Sequence, residues 1–167
     1  MDNAAHLHLL VNHFPVIAPV LAVPMLLLAL LLRKERGLLL ASVLLLVVAA
    51  VSGWLSTQTG EKAQHMIERA QDGGPAWADD VDDKAMTEHE ERAEKAMPVA
   101  IGAALVGVVV LVLAHRRTAE NPLPRPWIAL VLLGAAATSA AMGWVANAGG
   151  VIMHREIRGD SMDTTKK

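Results

Sequence analysis

The sequence predicts an all-α integral membrane protein, a four-helix up-down bundle with a short outer helical cap. Three observations carry this expectation. Of 167 residues, 53% are hydrophobic and only 19% charged, an apolar share above that of ordinary soluble domains. The apolar residues gather in four uncharged runs, 14–32, 38–57, 97–114 and 127–146. At about 1.5 Å of helical rise per residue, each run is just long enough to cross a hydrocarbon core about 30 Å thick. None carries the polar stripe of an amphipathic soluble helix.

Taken in order, spanning helices are expected over about 7–32, 38–58, 87–115 and 126–147, within a single membrane domain that takes in the whole chain. The residues before the first run hold no Lys or Arg, and the run is too long for the apolar part of a signal peptide, so a retained helix is expected. Between the second and third runs lies an acidic segment, 58–96, with eleven acids against five bases. Within it, residues 61–71 read as a short amphipathic helix ended by Asp72-Gly73-Gly74-Pro75. Thr87-x-x-Glu90 has the form of a capping box, which would start the third helix there. Glu88–Arg92 and Glu91–Lys95 are i,i+4 pairs in the favourable order, and Pro98 is a candidate kink. Ala103-x-x-x-Gly107, Ala136-x-x-x-Ala140 and Ser139-x-x-x-Gly143 are spaced for close helix contact.

Orientation follows from the short links. Arg33, Lys34 and Arg36 occupy one, and Arg116, Arg117 and Arg125 the other. Short basic links favour the cytoplasm, so both termini and the acidic segment are expected outside, with a bacterial inner membrane as the location. Arg155, Arg158, Lys166 and Lys167 in the tail pull the other way.

Composition excludes several functions. Without cysteine there are no disulfides, thiolate metal sites, c-type haem attachment or Cys nucleophiles. The acidic segment gives no reason to expect nucleic acid. No charged residue lies within the four runs, which argues against an ion relay through the bundle. No Gly-rich phosphate loop or Gly-x-Ser-x-Gly occurs, and His89-Glu90-Glu91-Arg92-Ala93 lacks the second His of the metalloprotease pattern.

The halves of the chain echo each other. Pro15-Val16 matches Pro98-Val99, and His6 matches His89, at an offset of 83. Gly53-Trp54 and Gly60 match Gly143-Trp144 and Gly150 at an offset of 90, with His65 and His154 beyond. Two parallel helix-hairpin repeats about an axis along the membrane normal would produce this pattern, and so would coincidence among common residues.

Six of the seven histidines, His6, His8, His13, His65, His89 and His154, fall on the expected outer side. If the first helix reaches back to residue 6, His6 and His13 share one stripe and His8 points elsewhere. His89 lies on the apolar stripe of Met86, Ala93 and Met97. Imidazole is the commonest metal ligand and a usual axial ligand of haem, and a bundle core is a normal place for either. Candidate cofactor-binding residues are therefore His13, His89, His154 and His8. Candidate metal ligands are His13, His89 and His154 with the carboxylates Glu90 and Glu156. Gly149-Gly150 would let a ligand approach the backbone. Against this stands the plainer reading, in which such histidines sit at the interface bonded to loop carbonyls.

The opening His6-Leu-His8-Leu-Leu-Val-Asn12-His13-Phe14-Pro15, the stretch Glu88-His89-Glu90-Glu91 and the close Gly149-Gly150-Val-Ile-Met-His154-Arg-Glu156-Ile157 resemble small bacterial four-helix membrane proteins catalogued only as domains of unknown function. The resemblance covers nearly the whole chain. It implies that His8, His13, His89 and His154 belong to the motifs, and it brings no activity.

The leading expectation is a small membrane protein holding b-type haem, or a copper, zinc or iron ion, for electron transfer. The alternative is a non-catalytic accessory subunit, docked to other membrane subunits or to a second copy of itself. No acid/base pair suggests substrate turnover.

Overall fold

The computed structural model describes residues 4–32, 36–71, 83–118 and 120–153. All regular structure among them is helical: α1 (Ala4–Val11), α2 (Phe14–Leu31), α3 (Arg36–Gln71), α4 (Asp83–His115) and α5 (Arg125–Met153). The last four are long and apolar enough to cross a membrane. The chain is a multi-pass membrane protein of four spans.

α1 and α2 are separate because of Pro15. Its ring has no N–H to offer the Val11 carbonyl and collides with it, so the helix stops at Val11. Asn12 and His13 make the turn, the Asn12 N–H bonding the His8 carbonyl at 2.9 Å and the Ile17 N–H the His13 carbonyl at 3.0 Å. Pro15 then opens α2 in the first turn, where a missing N–H costs nothing. The expected single helix over 7–32 is thus two.

α3 has 36 residues, about 54 Å of helix, far more than a bilayer core requires. Its apolar part crosses, and residues 61–71 continue the same rod rather than forming a separate cap. α4 likewise begins at Asp83, before the expected capping box. Thr87 is already inside the helix, its hydroxyl donating to the Asp83 carbonyl at 2.9 Å. Glu88–Arg92 and Glu91–Lys95 do pair, the latter at 3.1 Å. Pro98 lies inside α4, which runs on through it.

α2 packs on α3 and α5, and α4 packs on the same two, so the spans close into a ring. α1 leans on α3. Leu26, Val43, Leu46, Val110 and Val131, each at most 1% exposed, fill the centre. Small residues bring α4 close to its neighbours. A Cβ on Gly134 would meet Ala103 at 3.2 Å, and one on Gly107 would meet Val43 at 3.3 Å. Ala136, Ala140 and Gly143, expected in such contacts, are exposed instead. Fewer than half the residues of each spanning stretch lie inside, and those facing out include many leucines and valines, so the outer surface suits lipid tails.

The links after α2 and after α4 share one end of the bundle, called here the basic end. The opposite, histidine end holds α1, the start of α4 and the end of α5.

Candidate functional site

At the histidine end two imidazoles make the same contact on different helices. His8, on α1, places Nδ1 3.0 Å from the Ser56 carbonyl and 3.3 Å from Thr59 Oγ1 on α3. The Thr59 hydroxyl already donates to the Leu55 carbonyl at 2.8 Å, and a carbonyl can only accept. His8 Nδ1 must therefore carry the proton and donate to both. His89, on α4, places Nδ1 3.0 Å from the Val145 carbonyl on α5, and again Nδ1–H is the donor. Both rings use Nδ1–H as the donor, and no hydrogen bond among the described residues takes up either Nε2.

A glycine lies one turn beyond each accepting carbonyl. A Cβ on Gly60 would stand 3.2 Å from His8 Cε1, and one on Gly149 would stand 3.0 Å from His89 Cε1. Each ring lies flush on a helix because no side chain intervenes. The contacts pair His8 with His89, Ser56 with Val145 and Gly60 with Gly149, so the half-to-half register differs from the one read in the sequence. The break at residues 12–13 has no counterpart in α4, so equal counts of residues do not reach equivalent places. Pro15 is buried and Pro98 exposed, and the two do not share an environment.

Burial holds His8 below the usual imidazole pKa of 6.5; the bond to the Ser56 carbonyl acts the other way, and the charge of nearby His89 adds to the lowering. Burial thus favours the neutral form of His8.

Beside His89, Arg92 fastens α4 to α5. It donates to the Trp144 carbonyl at 3.0 Å, pairs with Glu88, and lies over the Trp144 ring at 4.9 Å. Among the described residues, three buried polar atoms lack hydrogen-bond partners: Asn12 Oδ1, Ser56 Oγ and Arg92 Nε. All belong to residues that adjoin the two histidine contacts.

The expected ligand set is redrawn. His13 is exposed at the N-cap of α2, with its side chain making no cap bond. His8, expected to point elsewhere, lies instead against α3. The reason is again the break before Pro15, which undoes any stripe extrapolated back from α2. Glu90 is exposed. His154 and Glu156 lie outside the described residues, as do details of the His6 side chain. Among the described residues no three His, Asp or Glu side chains form a group able to hold a metal ion. Gly149, read as room for a ligand, makes room for His89. The accepting carbonyls of Ser56 and Val145 were beyond sequence reasoning, since every residue has one.

No protein-family model, curated protein or solved structure matches this chain. Fold and site define a class: a four-span helical membrane protein with two backbone-anchored imidazoles at one end.

Proposed function

We propose that His8 and His89 are the two protein ligands of a metal-centred cofactor at the histidine end, with b-type haem the first candidate and electron transfer the role. What supports the reading is the shared tautomer. Metal-binding histidines usually donate the second ring N–H to a carbonyl or carboxylate, which orients the ring and leaves the other nitrogen for the metal. Both rings have that arrangement, and His8 has the neutral form a ligand needs. Two imidazoles suffice as axial ligands of haem iron. A tetrahedral copper, zinc or iron ion would need further donors, for which His154 and Glu156, next after α5, are the candidates. A bound haem would supply one-electron chemistry; the chain's part is to fix the rings and keep His8 uncharged. The basic end lies in the cytoplasm on this reading and the histidine end outside.

The accessory-subunit reading is favoured by a different observation, the fit of each ring onto its glycine. There the histidines are staples between helices, and the protein serves by docking to other membrane subunits or to a second copy.

A visible absorption spectrum of detergent-purified protein, expressed with haem and metals in supply, separates the two. The first reading expects an oxidised and a dithionite-reduced spectrum of bis-imidazole type, lost in His8→Ala and in His89→Ala while both variants still insert. A colourless, metal-free protein would leave the second.

A further inference from the structure

The basic end carries a groove that owes nothing to the histidine pair. It lies between the start of α3 and the end of α4, is open to the outside with a volume of about 420 Å³, and its lining surface is almost wholly apolar; Leu40, Leu111 and Val112 line it together with Arg36, His115 and Arg116. Leu40 and Val112 are also about half exposed on the outer surface, so the apolar wall is continuous with the surface that meets lipid tails. The Arg36 guanidinium donates to the Arg117 carbonyl, which holds it across the gap from α3 to the end of α4. The two short links around this end hold six bases, Arg33, Lys34, Arg36, Arg116, Arg117 and Arg125, against two acids, Glu35 and Glu120.

We infer that this groove binds one anionic phospholipid, its phosphate on Arg36 and Arg116 and an acyl chain along Leu40, Leu111 and Val112. A free anion would gain nothing from the apolar wall. A zwitterionic lipid would bring a cationic headgroup against the arginines. An anionic phospholipid alone matches both, because guanidinium is suited to phosphate and the bilayer delivers the chain laterally. The inference stands whichever function the histidines serve.

Native mass spectrometry of the full chain in detergent tests it, with phosphatidylglycerol and phosphatidylcholine of identical acyl chains offered together. The expected result is one retained phosphatidylglycerol per chain, preferred at least fivefold. The double variant Arg36→Gln/Arg116→Gln should bring the ratio near one, while Arg125→Gln, off the groove, should leave it unchanged. Leu40→Trp with Val112→Trp should crowd the wall and lower retention with the arginines intact. Equal retention of both lipids by the native protein would overturn the site. So would an Arg125→Gln effect as large as the double variant's, which would reduce the preference to diffuse charge. Displacement of the lipid by millimolar glycerol phosphate would mark an anion site that makes no use of the groove. Helical circular dichroism of each variant confirms that it is folded.

Discussion

His89 and Gly149 touch so closely that a methyl group on the glycine would come within 3.0 Å of the ring, with Nδ1 scarcely farther at 3.1 Å. The ring cannot retreat without giving up the Val145 carbonyl. Gly149→Ala is expected to cost about 1–3 kcal/mol, the usual range for overpacking. Gly60→Ala, facing His8 at 3.2 Å, should cost less, and Gly53→Ala, blocked only by the mobile end of Met97, less again. Gly102→Ala meets nothing within 4 Å and should be neutral or stabilise by up to about 1 kcal/mol, as the loss of a helical glycine does. Thermal unfolding of the four variants in one detergent gives the order; a Gly149→Ala as stable as Gly102→Ala would refute the contact.

Acidification should loosen the same end. His8 has its pKa lowered from 6.5, so the unfolded chain takes up the proton first as pH falls. Its contribution is fully present above about pH 6.5 and is lost as pH falls from there through the folded-state value. Melting temperature should be flat between about pH 7 and 8 and then decline. His8→Phe, which keeps a ring but cannot titrate, should lower stability at neutral pH and remove part of the decline. Parallel curves for the two proteins would count against His8 as a source.

Arg92 offers a test of geometry against charge. Arg92→Lys preserves the charge but loses the fork between Glu88 and the Trp144 carbonyl and the planar stacking on Trp144. It should cost about 1 kcal/mol, most of what Arg92→Ala costs. Glu88→Gln should cost less than either, since half of Glu88 is exposed and such pairs contribute little. A fully tolerated lysine would show that charge alone matters.

The absence of native cysteine makes topology directly testable. In intact cells, a Cys replacing exposed Glu61 should react with an impermeant maleimide and one replacing exposed Gly37 should be protected. The reverse pattern would invert the protein.

The four spans were legible in the sequence because run length against bilayer thickness is a coarse, robust signal, and the ion pairs of α4 because i,i+4 spacing is local. The ends were harder. Whether a helix stops at Gln58 or runs on depends on what it lies against, and α1 meets α3 at Ser56, Thr59 and Gly60, where the expected span ends. The capping-box pattern at Thr87 does not start α4, because the same hydroxyl can bond back to a carbonyl inside a helix. The sequence singled out His8 and His89, but not the carbonyls and glycines that they meet. That His8 would lie against α3 and His13 stand exposed was not legible, because it turns on the break between α1 and α2.

Ser42, Ser52, Thr138 and Ser139 each donate to a carbonyl four residues back on their own helix, at 2.6–2.9 Å. These hydroxyls are therefore satisfied before any neighbour is present. None of these four hydroxyls has to wait for a neighbouring helix before its span enters the bilayer. The tie between α1 and α3 through His8, and that between α4 and α5 through His89, need two helices at once. Insertion and closure are thus separable events, and the histidines belong to the second: a chain lacking both imidazoles would still thread the membrane four times, yet α1 would lose its tie to α3, and the end of α5 would be left to the grip of Arg92.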